Sequence, residues 1–192
     1  MKLVQSHPHS TTAHSSQEWL TTEAVAKHKA GDLVAAIDYY LQVIAIAQRG
    51  GRSIANQAPD WIYGNAITLL AKVDRFDEGI ELGQQALAEY PTSDEIYRAI
   101  GIAAGKKQDD EQSINCFSQA IKLNPEQPVW VYYHLIELLT KKRALDQAIA
   151  IGNQGLQFNP DSHWLHYYLG SKPWLLRKNG NRRSLLIFVL WS

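Results

Sequence analysis

The chain has 192 residues, with 19 basic and 19 acidic side chains, 45% hydrophobic residues and one cysteine, Cys116. A net charge of zero gives no electrostatic footprint for nucleic acid, and a lone cysteine excludes a disulfide framework and favours a reducing, cytoplasmic compartment. The sequence holds no phosphate-cradling glycine loop, GxSxG elbow, HExxH pair or cysteine pair at metal-ligand spacing, so neither catalysis nor a cofactor is expected.

Residues 1–16 are polar, with too few apolar side chains for a signal peptide, and read as a disordered lead-in. His7, His9 and His14 fall within it. Without acidic or cysteine partners, or a fold to fix their geometry, they are not expected to hold a metal. A first helix is expected near 17–30 and a second near 32–49, joined at Gly31. The segment GGRSIANQA (50–58) is the one irregular joint.

Three further helix pairs follow, near 59–72 and 75–89, 93–106 and 109–122, and 127–141 and 144–157. The second helices end in ALAEYP, AIKLNP and GLQFNP, at Pro91, Pro125 and Pro160, 34 and 35 residues apart. Proline cannot continue a helix, so the recurring proline closes each unit. Gly79, Ser113 and Ala148 stand seven residues before Ala86, Ala120 and Gly155, which places small side chains where two helices must touch. The turn between helices is glycine at Gly31 but Asp74, Gln108 and Arg143 later. Asp109, Asp110 and Glu111 open a helix, where carboxylates satisfy free amides and the positive end of the dipole.

With Tyr97 and Gly101 at the large-residue and glycine positions of the third unit, the chain resembles the tetratricopeptide repeat family, whose unit is about 34 residues. The resemblance implies an all-α, right-handed superhelical solenoid of antiparallel helix pairs over 17–170. It comprises repeats at 17–49, 59–91, 93–125 and 127–160 and a half repeat at 161–170. It also implies that the first helices line a concave groove holding a peptide or partner protein. That makes a non-catalytic interaction scaffold the expected function. The lysines and asparagines by which some members clamp a chaperone tail are not reproduced, since Thr21 and Val25 occupy the helix face where that set would start.

Two surfaces are candidates for partner binding. Lys29, Lys72, Lys106 and Lys141 each stand two residues before a turn residue. They serve either as dipole-favoured ends of helices or as a ladder attracting an acidic peptide. Trp61, Trp130 and Trp164 follow repeat-ending prolines or their equivalents, and Tyr133 and Tyr167 lie three residues beyond the last two tryptophans. These aromatics are either packing between repeats or groove anchors, with Arg98 expected beside them. His163 and His166, three apart, are expected at a rim.

Residues 161–170 open a fifth repeat, with Gly170 ten residues past Pro160 as Gly101 is ten past Pro91. Residues 171–192, SKPWLLRKNGNRRSLLIFVLWS, then depart from the pattern. Back-translated with permitted codons and read two bases out of register, they give QALAAAKEWQPAIAAYFRALEL, a fluent repeat continuation. The tail is therefore expected to be out of frame, which keeps open a second reading: the amino-terminal repeat region of a larger bacterial transferase of the glycosyltransferase or methyltransferase kind. The apolar run at 185–191 is too short to span a bilayer and offers a route to self-association.

Overall fold

The computed structural model describes residues 9–49 and 57–171. The described residues form helices α1 (His9–Ala30), α2 (Leu33–Arg49), α3 (Asp60–Lys72), α4 (Phe76–Glu89), α5 (Asp94–Lys106), α6 (Asp110–Leu123), α7 (Val129–Lys141), α8 (Leu145–Phe158) and α9 (His163–Ser171). No strand occurs among them. Helix α1 begins inside the segment read from the sequence as a lead-in; extending a helix whose later turns are packed adds one hydrogen bond per residue and needs no new nucleus. Most of the 50–58 joint and the tail from residue 172 lie outside the described residues, as do His7 and the side chains of His9 and His14.

The chain divides into two compact units, the first ending at Gln108 and the second starting at Asp109. In the first, α1 packs on α2, α2 on α3, and α3, α4 and α5 on one another. In the second, α6 packs on α7, α7 on α8 and α8 on α9.

Each helix pair closes through a residue in the left-handed region, at Gly31 (φ 80°), Asp74 (φ 62°), Gln108 (φ 67°) and Arg143 (φ 60°). This conformation lets the next amides fold back on the helix end: Asp32 N–H donates to Lys27 O at 3.0 Å, Arg75 N–H to Leu70 O at 2.9 Å, and Ala144 N–H to Leu139 O at 2.8 Å. Those bonds satisfy carbonyls the helix leaves open. Only glycine adopts this region without steric cost.

The starts of α3, α5, α6 and α7 use two chemistries, a side-chain cap or a preceding proline. Ser93 Oγ accepts from Ile96 N–H at 3.3 Å and Asp109 Oδ1 from Gln112 N–H at 3.0 Å, while Pro59 and Pro128 precede α3 and α7. Before each closing proline, a recurrent amide ends the second helix. Tyr90, Asn124 and Asn159 N–H donate to the carbonyls of Ala86, Ala120 and Gly155. Tyrosines pin the adjoining loops, with Tyr90 Oη donating to Ala58 O at 2.7 Å and Tyr132 Oη to Pro125 O at 2.6 Å.

The small residues expected at the contact face are buried: Gly79 and Ala86, Ser113 and Ala120, and Ala148 and Gly155. Between each pair lies Gly83, Phe117 or Gly152, also buried. A Cβ on Gly83 would stand 2.4 Å from Ile100 Cγ1, and Ile100 is itself buried. A Cβ on Gly64 would instead meet the half-buried, flexible Glu95 side chain, at 2.6 Å from its Cγ.

Arg143→Gly should stabilise the second unit by about 1 kcal/mol, and Gly31→Ala, with nothing within 4 Å of its new Cβ, should destabilise the first by a similar amount through backbone strain alone. Urea unfolding measures both, and equal stabilities for wild type and variants would refute the strain. Gly83→Ala should destabilise by about 1–2 kcal/mol despite alanine's better helix propensity, because overpacking outweighs it. Gly64→Ala, which displaces one ion-paired side chain and not a buried isoleucine, should cost less, and thermal unfolding should place its midpoint above that of Gly83→Ala.

Candidate partner-binding surface

In the second unit, α6, α7 and α9 bring six rings into one chain of contacts. Phe117 on α6 meets Trp130 edge-on at 6.3 Å between ring centroids and stacks on His134 at 6.3 Å and 14°. Trp130 and Tyr133 both touch His134, at 5.9 and 5.0 Å. Tyr133 then meets Trp164 of α9 edge-on at 4.0 Å, and Trp164 stacks on Tyr168 at 5.3 Å and 24°. Edge-to-face and offset arrangements are the ones the ring quadrupoles favour, and every contact but the tighter Tyr133–Trp164 one falls in the usual range of about 4.5–7 Å.

Phe117 and Tyr168 are buried, whereas Trp130 is 39% exposed and Tyr133 and Trp164 are half-buried. The strip thus begins and ends in the core and reaches solvent between. Its polar edges are fixed as well. Tyr133 Oη donates to Glu137 Oε1, and this bond first, with burial second, pushes the phenol pKa up. His134 Nδ1 lies 3.9 Å from Glu137 Oε2. Thr140 donates its only hydroxyl proton to Ile136 O at 2.7 Å, so the hydroxyl pair between Thr140 and Tyr168 has the tyrosine as donor.

Of the aromatics singled out from sequence, Trp130, Tyr133 and Trp164 come together here. Tyr167 is 62% exposed and forms no ring contact in the strip, because the position four residues beyond Trp164, Tyr168, shares its face. His134, four residues beyond Trp130, was missed for the same reason; i,i+4 spacing would have found both. Trp61 belongs to the first unit, where it meets Tyr40 edge-on at 6.4 Å.

Arg98 also lies in the first unit, on α5, and pairs with Glu95 at 3.2 Å. Burial raises the Glu95 pKa; Arg98 opposes that, and Asp60 and Asp94 add to it. Asp60 in turn accepts from Ser93 Oγ at 2.7 Å. Lys29, Lys72, Lys106 and Lys141 are all exposed in the last turns of α1, α3, α5 and α7. Lys141 pairs with Asp110 Oδ2 at 2.5 Å, whereas Lys29, Lys72 and Lys106 have no ion pair among the described residues. Lys72 acts on His28, whose pKa is lowered by burial first and by that ammonium second. The Cys116 thiol is pushed up to about 11 by burial and by Asp109, which makes it a poor nucleophile. No group of three side chains able to hold a metal occurs among the described residues.

Paired helices, left-handed turns that recur 34 and 35 residues apart from Asp74 on, and a buried small-residue stripe make up a fold shared with solved structures. A MamA crystal structure superposes with a TM-score of 0.68 over 90% of this chain and 88% of that one, at 18% identity. The chain has the tetratricopeptide-repeat fold. A tetratricopeptide repeat protein from Parabacteroides merdae matches at a TM-score of 0.64 and 18% identity, over 79% of this chain and 57% of that one. The tetratricopeptide domain of Arabidopsis OM64 matches at 0.58 and 15% identity, over 67% of this chain and 98% of that one. Neither a protein-family model nor a curated protein matches the sequence. No described helix is long and apolar enough to cross a membrane. In tetratricopeptide terms α7 and α9 are first helices, and they carry five of the strip's six rings; Phe117 alone comes from a second helix.

The electrostatics of His28 yield a direct check. Its pKa lies below the ordinary 6.5, so between the two values the unfolded chain binds a proton that the fold refuses, and stability falls as pH drops through that window. Lys72→Gln should raise the His28 pKa partway, leaving the burial contribution, and should soften the acid loss of stability. Titration of the His28 ring proton by NMR reads this, and an unmoved midpoint would show that Lys72 is electrostatically remote.

Proposed function

We propose that this chain is a non-catalytic, cytoplasmic scaffold that binds a peptide or partner protein along its first helices, with Trp130, Tyr133 and Trp164 as anchors. The observation that carries this reading is the solvent-facing part of the ring strip on α7 and α9. Tryptophan and tyrosine give large, stiff contact area at low entropic cost, and interfaces concentrate their energy in such residues. The fold supports the reading by its likeness to tetratricopeptide structures. Lys72 and Lys106, with Arg98 near Glu95, offer the first unit a separate polar surface on which an acidic stretch of the same partner could dock.

Selection of a random peptide-display library against the full chain tests this proposal. A sequence-selective consensus is expected, and Trp130→Ala should weaken the selected peptide at least about tenfold while the circular dichroism of the fold is retained. On the same peptide, K72E with K106E should reduce binding more at low salt than at high salt. Unchanged affinity in the double variant removes the lysines from the reading, and a selection with no consensus removes the scaffold itself.

A further inference from the structure

The strip carries charge as well as apolar area. Apart from histidines, the charged residues of α7 are Glu137 and Lys141, and α9 has none. Lys141 is neutralised by Asp110 at 2.5 Å, an aspartate whose side chain is only 15% exposed. That leaves the Glu137 carboxylate, about half exposed, with no lysine or arginine paired to it; its ionic neighbour on these two helices is the His134 ring at 3.9 Å, charged only when protonated. Glu137 stands beside Tyr133, whose hydroxyl it accepts, and Tyr133 meets Trp164. Ring faces carry negative potential, so rings and carboxylate act with the same sign.

Resting on the scaffold reading above, we propose that the face formed by Trp130, Tyr133, Trp164 and Glu137 receives a cationic side chain of the partner segment, with arginine preferred to lysine. A guanidinium stacks flat on an indole or phenol ring while donating to a carboxylate at its edge, and it is more weakly hydrated than an ammonium. An acidic side chain would meet like charge at Glu137 and the negative faces of the rings. Each exposed cation–ring contact is worth about two- to fivefold in affinity.

The test uses the full chain and the strongest peptide from the display selection. The expected consensus contains an arginine or lysine. Replacing an arginine there by citrulline, which keeps the shape and removes the charge, or a lysine by acetyl-lysine, should weaken binding at least about tenfold. Glu137→Gln should cost the arginine peptide about threefold and the citrulline peptide nothing. The indole N–H resonances of Trp130 and Trp164, assigned by Trp→Phe variants, should shift with the arginine peptide. A consensus lacking basic residues overturns the cation preference and leaves the scaffold standing. A basic residue whose replacement by citrulline or acetyl-lysine is neutral, or which leaves the indole resonances and the Glu137→Gln comparison unmoved, docks elsewhere and overturns it too. A selection with no consensus defeats both readings.

Discussion

Close approach of helices along a single stripe is the constraint on which the rest of the structure depends. Each second helix from α4 on presents three buried positions spaced i, i+4, i+7: Gly79, Gly83 and Ala86; Ser113, Phe117 and Ala120; Ala148, Gly152 and Gly155. The outer two stay small, so the backbones can come near, and the middle one decides what fills the gap. Where it is glycine, a branched aliphatic side chain 17 residues later takes the space: Ile100 against Gly83, with Leu169 Cδ2 at 2.9 Å from a Cβ built on Gly152. Where it is Phe117, the residue 17 later is His134, whose ring lies flat on it. Interiors packed at crystal-like density leave no room for the wrong combination.

That complementarity links the core to the surface of the second unit. A phenylalanine at the middle position makes an aromatic partner at 134 the residue that packs best, and Trp130 and Tyr133 extend from it toward solvent. Trp164 and Tyr168 continue the same contacts on α9, with the Tyr168 hydroxyl tied to Thr140 of α7. The candidate surface is therefore built on two rigid helices and anchored at both buried ends, which lowers the ordering cost that any bound segment would otherwise incur. In the first unit the equivalent glycine–isoleucine packing of α4 on α5 puts an aliphatic side chain where the second unit has rings.

Most of the architecture was legible because repetition makes the same signal appear several times. Pro91, Pro125 and Pro160 marked the unit ends, and the small residues seven before Ala86, Ala120 and Gly155 marked the contact face; both are where the period placed them. The turn positions were legible too, although Asp74, Gln108 and Arg143 stand where composition alone would call for glycine. The start of α1 was not, because polar residues such as those at 9–16 give no periodic apolar signal and their helicity comes from the turns that follow. At the surface, tryptophans revealed the strip, but three-residue spacing drew attention to Tyr167 in place of Tyr168. The pairing of Lys141 with Asp110 depends on how two helices cross, which a single-residue regularity does not encode.

The placement of tryptophans also equips the molecule with its own reporters. Trp19 meets Tyr39 and Trp61 meets Tyr40 in the first unit, while Trp130 and Trp164 sit among the rings of the second. Each described indole is thus held at a fixed angle to a neighbouring chromophore within its own unit, so each unit carries its own near-ultraviolet circular dichroism. Trp164, stacked on Tyr168 and edge-on to Tyr133 across the α7–α9 contact, couples rings from two helices. Its dichroic band therefore reports directly on whether α9 is seated.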